Sequence, residues 1–474
     1  MNRVLQGRIF CLLLLMIGVL APLGLGLGTV RADEANQEII NLVLDELKSG
    51  DPERQAGGVA IARDIPGVGV TQALAAELPN LSPPVQVQLL STLADRGDAV
   101  ALPAVIAAGT SPDESVRVAA LKAVGQLGGA SNILLLAQRA AETRAVEQRA
   151  ARESLYRLRG SETDAAILKE LPMTAPTVKV ELVRAIGERN ITQGVEALLA
   201  AAGDENARVR RESIKVLKIV AGPDDLPALV NLLLSVTSAS DRTEAEKTIA
   251  AVAHKIEDKN RQAAAVLTVL ASTKEVPNRA SLLRVLGRIG DNGALPILRT
   301  SLSSQEREIQ DAAIRALSGW PTPEPADDLL KVAQTSNNQV HKVLALRGFV
   351  RLLAQRSDLP AQEAVDLYRK AMNLAPNAVE KKRVLSGLSG AKSLAALEMA
   401  GGYLRDSTLQ LEAESAVVQI ARSICGSDPQ QCLKALGRIV ESTTNETIRQ
   451  QAQELIDQIK TGATEPSEVK VETQ

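Results

Sequence analysis

An apolar slot recurs along this chain at Leu93, Val124, Leu155, Ile186, Leu217, Ile249, Leu286, Leu317, Phe349 and Leu388. The steps between neighbours are 31, 31, 31, 31, 32, 37, 31, 32 and 39 residues. An ordinary globular core has no reason to hold such a register. A period in this range marks a solenoid, in which each unit buries its apolar face against the next.

The clearest copy is Pro112 to Gly129, PDESVRVAALKAVGQLGG. Pro112 and Asp113 suit a helix entry, where a carboxylate can accept from unpaired N–H groups. Val116, Ala120, Val124 and Leu127 fall at helical spacing on one face, and Gly128 with Gly129 ends the helix. Leu-Pro recurs at Leu102-Pro103, Leu226-Pro227 and Leu295-Pro296. Each proline stands in the first turn of a partner helix, so the unit reads as helix, short turn, helix.

The run Val116-Arg117 to Gly125 reads VR-x-x-A-x-x-A-hydrophobic-G, and Val178 to Gly187, Val209-Arg210 to Leu217 and Ala280 to Gly287 are partial variants of it. With two helices in each unit, this resembles the HEAT repeats in their short, bilin-lyase-type form. The resemblance implies an all-α, right-handed α-solenoid, a HEAT/armadillo-like superhelix of about a dozen helix pairs. It is specific for fold and poor for function. Val340 to Leu353 and Glu380 to Gly390 are similar to the later part of exported bacterial HEAT-repeat proteins. In that group the repeats often precede a sugar-processing or cytochrome-type domain. The residues after 390 read instead as further helices.

Residues 1–32 read as a signal peptide. Arg3 and Arg8 precede the apolar run Ile9 to Leu20, and Val30-Arg31-Ala32 offers a cut after Ala32. An uncleaved anchor is the rival reading, and membrane contact is expected only through this segment. Residues 33–84 are expected to be a degenerate N-terminal helical cap and 85–390 the regular array. Residues 391–460 should hold C-terminal helical repeats, and 461–474 a disordered tail. Asp258 to Arg261 is a polar insertion in the 37-residue step from Ile249 to Leu286, and Gly319 to Pro325 a proline-rich connection. Trp320 takes the slot of Leu127 and is expected to plug a repeat junction.

The chain has 54 basic and 56 acidic residues, and loss of residues 1–32 leaves 51 against 56, a net charge of −5. That balance gives no ground for nucleic-acid binding. Beyond the leader the aromatics are Tyr156, Trp320, Phe349, Tyr368 and Tyr403, too sparse for a sugar-stacking platform. Cys425 and Cys432 flank a turn-like GSDPQQ and are expected to form a disulfide in an oxidising compartment. His254 and His341 are the two histidines, read as helix-surface or helix-end residues. No His-Glu pair, Ser-His-Asp set or glycine-rich phosphate loop is present, so no catalytic residue, metal or cofactor is expected. Asp224-Asp225 and Asp327-Asp328 read as helix starts.

The functional signal is a column of cations. Two residues before the apolar slot stand Ser91, Lys122, Glu153, Arg184, Lys215, Lys247, Arg284, Arg315, Arg347 and Ser386. This position lies about 200° around the helix from its apolar neighbours and is not core. Arg157, Arg288 and Arg351 follow one turn later. In HEAT-type solenoids the VR-containing helix lines the concave face, so the resemblance implies a basic groove for an anionic or extended polypeptide. The competing reading is a ladder of ordinary inter-helix ion pairs, with acidic neighbours such as Glu181, Glu188, Glu212 and Asp311. The expected role is a non-catalytic protein-binding scaffold of the periplasm or cell envelope. Its rivals are an accessory subunit of a separate exported enzyme, saccharide-processing by the resemblance, and a bilin-lyase-like enzyme.

Overall fold

Asp113 opens its helix as the sequence requires: one carboxylate oxygen accepts from the backbone N–H of Ser115 at 2.8 Å and of Val116 at 3.2 Å. At the other end the Gly128 N–H bonds the Val124 carbonyl at 2.8 Å. The same local logic repeats throughout the computed structural model, which describes residues 28–461. Asp51, Asn338 and Asn377 cap other helices with their side chains. Leu-Pro opens the helices Leu102–Ala108, Leu226–Ser235 and Leu295–Ser301, where the missing N–H costs nothing.

Among the described residues there are helices and no strands, and the helices alternate as first and second members of thirteen pairs. The second helices are α1 (Pro52–Asp64), α2 (Pro83–Arg96), α3 (Glu114–Leu127), α4 (Ala145–Arg157), α5 (Pro176–Glu188), α6 (Ala207–Val220), α7 (Ala239–Ala253), α8 (Val276–Ile289), α9 (Arg307–Ser318), α10 (Gln339–Leu353), α11 (Ala378–Leu388), α12 (Gln410–Ile424) and α13 (Glu446–Thr461). The chain divides into two compact units, residues 1–220 and 221–474. In the first, α1 to α6 pack each on the next; in the second, α7 to α13 do the same.

The apolar slot is the spine of both stacks. None of its ten residues is more than 2% exposed. Each such burial contributes about 1.5–3 kcal/mol before chain entropy is counted. Glycine lets neighbouring second helices approach closely. A Cβ at Gly287 on α8 would lie 2.5 Å from the Ala316 backbone on α9, and one at Gly125 on α3 would lie 2.8 Å from that of Ser154 on α4.

The sequence boundaries are placed as follows. Pairing starts ahead of residue 85, since Gly28–Lys48 with α1 already forms a pair. The polar insertion forms the loop after α7, with a single 3₁₀ turn at Lys259–Arg261. The expected tail begins one residue late, because Thr461 closes α13; residues 462–474 lie outside the described residues. So does the leader up to residue 27, while the expected cleavage junction after Ala32 falls within the helix Gly28–Lys48. Among the described residues no helix is long and apolar enough to cross a membrane.

His341 corrects the sequence reading. It is not at a surface but 2% exposed, on α10, eight residues before Phe349. That is the position of Val116 relative to Val124, so the helix register carries it inward. Its Nε2 lies 3.6 Å from Asp311, and its Nδ1 has no hydrogen-bond partner.

Candidate partner-binding basins

In the first unit the column positions are Lys122 on α3, Arg184 on α5 and Lys215 on α6. Lys122 and Lys215 are exposed and make no ion pair among the described residues. Arg184 is a strut: Nη1 donates to Glu181 at 2.8 Å and Nε to Glu212 at 3.0 Å. Glu181 is itself buried and also takes both donors of Arg152, at 2.7 and 2.8 Å. That bond raises the Arg152 guanidinium pKa above its ordinary value. These groups, with Arg208 and Lys215, line a basin of about 530 Å³. Two carboxylates, Glu181 and Glu212, share its wall.

In the second unit the column continues as Lys247 on α7, Arg284 on α8, Arg315 on α9 and Arg347 on α10. Each has a carboxylate partner. Lys247 meets Glu244 at 3.4 Å, Arg284 Nε donates to Glu246 at 2.8 Å, and Arg315 Nε donates to Asp311 at 2.7 Å. Arg347 grips Glu380 with Nη2 at 2.5 Å and Nε at 2.9 Å, a contact that raises its pKa. Of the seven column cations, Arg184, Arg284 and Arg347 are therefore members of an inter-helix ladder, Lys247 and Arg315 pair within their own helices, and Lys122 and Lys215 pair with no carboxylate among the described residues. Glu212, Glu246 and Glu380 come from the neighbouring repeat, 28, 38 and 33 residues away, whereas Glu181, Glu244 and Asp311 stand on the cation's own helix.

Pairing does not neutralise the second unit's surface. Lys247, His254, Arg284, Arg288 and Arg315 line a basin of about 670 Å³, and no carboxylate is in its wall. Glu246, only 3% exposed, sits beneath, with Arg288 Nε 3.9 Å from its second oxygen. Each arginine is approached at its Nε edge. Among the described residues, Arg284 Nη1 and both terminal nitrogens of Arg288 and Arg315 make no hydrogen bond. His254 Nε2 donates to the Ile289 carbonyl at 2.9 Å, which fixes the ring at the end of α7.

The second basic element is divided. Arg157 is exposed, whereas Arg351 donates to the carbonyls of Ser318 at 3.0 Å and Trp320 at 2.5 Å. Burial lowers the Arg351 pKa from its ordinary value. Trp320 is fully buried, its indole N–H 3.3 Å from Asn292 Oδ1, as the junction plug expected of it.

Residues 165–250 and 263–348 match the family model for HEAT repeats. These stretches are HEAT repeats. No curated protein matches the sequence. Solved structures with the same fold include Kap121p bound to Ste12p, 11% identical, TM-score 0.54, over 96% of this chain and 57% of that one. Another is the karyopherin Kap121p bound to the extreme C-terminus of the protein phosphatase Cdc14p: 12% identical, TM-score 0.51, over 90% and 54%. Kap95p with RanGDP is 14% identical, TM-score 0.50, over 94% and 67%. The chain spans about half the length of the Kap121p chains it matches. The likeness is one of fold, an all-helical HEAT-repeat solenoid.

Along the helix pairs, the position after Val116 carries a device that the sequence reading passed over. Gln86, Arg117, Gln148, Arg279 and Gln310 each stand seven residues before the apolar slot. Their side chains donate back to the carbonyls of Leu78, Ser111, Ala140, Thr273 and Leu302 at 2.8–3.0 Å. Carbonyls at or just past a helix end lack an intrahelical partner. The arginine of the VR motif is thus a clamp between the two helices of a repeat. Buried carboxylates were also missed. Glu147 and Glu380 occupy the Val116 slot itself, eight residues before Leu155 and Leu388, and that register was the available signal.

The expected Cys425–Cys432 disulfide is not formed; both are free thiols. Cys425 follows α12 with its sulfur toward the Arg422 carbonyl at 3.5 Å. Cys432 sits in the first turn of Pro429–Ser442, fully buried, its sulfur 3.6 Å from the Ala421 carbonyl. Burial, with Cys425 and Asp428 nearby, pushes its pKa up to about 11. Native protein treated with a thiol reagent at pH ~8 should label Cys425 and spare Cys432 until unfolding, because only the thiolate reacts. Peptide mapping reads this, and a mapped 425–432 bridge would reinstate the disulfide. Among the described residues no group of three or more His, Cys, Asp and Glu is placed to hold a metal.

Proposed function

We propose that this chain is an exported, non-catalytic scaffold of the periplasm or cell envelope that binds acidic segments of protein partners on its second helices. The observation that carries the reading is the second unit's basin: four cations and a histidine in its wall, no carboxylate, on a chain whose net charge is −2. A local field of that sign on an otherwise acidic protein concentrates anionic partners and speeds their encounter. The ion pairs beneath hold long side chains in place, which lowers the entropy lost on binding. The fold neighbours bound to Ste12p and to the extreme C-terminus of Cdc14p support a solenoid that takes protein segments. Export rests on the N-terminal residues, which also supply the one expected contact with a membrane.

The test is capture from an envelope extract with the tagged full chain, at low salt and at ~1 M salt, where the screening length falls to about 3 Å. Partners should be retained at low salt and lost at high salt. They should also be lost when Lys215, Lys247 and Arg315 are changed together to serine. No capture at either salt would overturn the scaffold reading. N-terminal sequencing of the fractionated protein should begin at Asp33; a chain starting at Met1 in the cytosol would overturn export.

A further inference from the structure

Lys247, Arg284 and Arg315 occupy one position, two residues before the apolar slot, on α7, α8 and α9. These three helices pack in succession. Packed helices lie about 8–10 Å apart, so the three side chains leave the stack from positions with about that spacing. The row borders a basin whose floor includes the small residues Ala250, Gly287 and Ala316. At Gly287 and Ala316 α8 and α9 approach closely, since a Cβ at Gly287 would lie 2.5 Å from Ala316. The floor therefore admits a backbone, and the rim carries one cation of this column from each helix in turn.

That spacing selects a ligand conformation. A polyproline-II chain repeats every third residue, with a rise of about 3.1 Å each, so residues i, i+3 and i+6 share a face at about 9.3 Å. A β-strand puts same-face residues about 6.6–6.8 Å apart and runs out of register with the row. An α-helix reaches about 10 Å only at every seventh residue. It would need fifteen residues and a cylinder about 10–12 Å across to meet all three cations. Among the described residues Arg284 Nη1 and both terminal nitrogens of Arg315 are unbonded, and a guanidinium edge of this kind donates well to a carboxylate.

We propose that the basin of the second unit binds an extended, polyproline-II segment with an acidic residue at every third position, its carboxylates meeting Lys247, Arg284 and Arg315 in turn. This rests on the scaffold reading above and gives its partner a sequence rule.

The probes are three synthetic peptides of the same composition, each with three glutamates in a proline-rich background. They carry glutamate at every third position, at alternate positions, or as a contiguous run. Fluorescence anisotropy with the full chain at low salt should show the third-position peptide binding about tenfold more tightly than either other, a difference of about 1.4 kcal/mol. Arg315→Gln and Lys247→Gln should each weaken it about fivefold. Both side chains are about half exposed, so the melting curve should not move. Equal binding of all three peptides would overturn the register rule and leave an acid-binding scaffold standing. Binding untouched by both variants would place the peptide elsewhere and overturn the site. If no peptide binds while envelope partners are still captured, the proposal falls and the scaffold reading survives.

Discussion

Trp320→Ala is expected to lower the stability of the second unit by about 3–5 kcal/mol, the range for removing a large aromatic from a core that cannot close up. Trp320 is fully buried in the connection between α9 and the helix Ala326–Thr335. It does three things there. Its ring takes the register position that Leu127 holds at the end of α3, its indole N–H reaches Asn292 Oδ1 at 3.3 Å, and its carbonyl accepts from Arg351 at 2.5 Å. Alanine keeps the carbonyl but leaves a cavity, and Asn292 loses a donor. Because solenoid contacts are local, the damage should be uneven. Hydrogen exchange should quicken around residues 290–350 and stay unchanged in α3 to α5. Trp320→Phe should recover most of the loss, since it restores volume without the indole N–H. A uniform loss across both units, or a cost below about 1 kcal/mol, would show that the ring is not the plug described.

The fold was legible in the sequence because its determinants are local and periodic. The apolar slot, the Leu-Pro helix starts and the cap at Asp113 each depend on residues within one turn or one repeat. The site was legible only in outline. A column of cations can be read from one strand of text, but whether each is a strut depends on a carboxylate in the next repeat. Arg184 finds Glu212, Arg284 finds Glu246 and Arg347 finds Glu380 through packing that no single repeat encodes. Glu188, offered as a partner, forms no ion pair among the described residues, although Glu181, Glu212 and Asp311 do. The break at residue 220 was invisible for the same reason: the spacing there, 32 residues from Leu217 to Ile249, hardly departs from the period. The two histidines show both outcomes. His254 ends its helix as expected, whereas His341 follows the register inward.

The ladder can be tested where it is tightest, between Arg347 and Glu380. Glu380 is 3% exposed and Arg347 43%, so the two partners are not equivalent. Removing the arginine strands a buried carboxylate, with only Arg383 left at 3.7 Å. Arg347→Ala should therefore cost about 3 kcal/mol, the low end for breaking a buried pair because the arginine is partly wet. Removing the carboxylate should cost far less. Glu380 stands in the slot held by Val116, Val178, Val209 and Ile309 in other repeats, all buried. Glu380→Val puts back the apolar side chain that the slot takes elsewhere, and Arg347 can turn to solvent. Its expected change lies within about 1 kcal/mol of zero, in either direction. The double variant should then be close to Glu380→Val alone, with a coupling energy of about 2–3 kcal/mol from urea unfolding. If Arg347→Ala instead leaves stability unchanged, the pair is not structural, and Arg347 joins Lys122 and Lys215 among cations free to meet a partner.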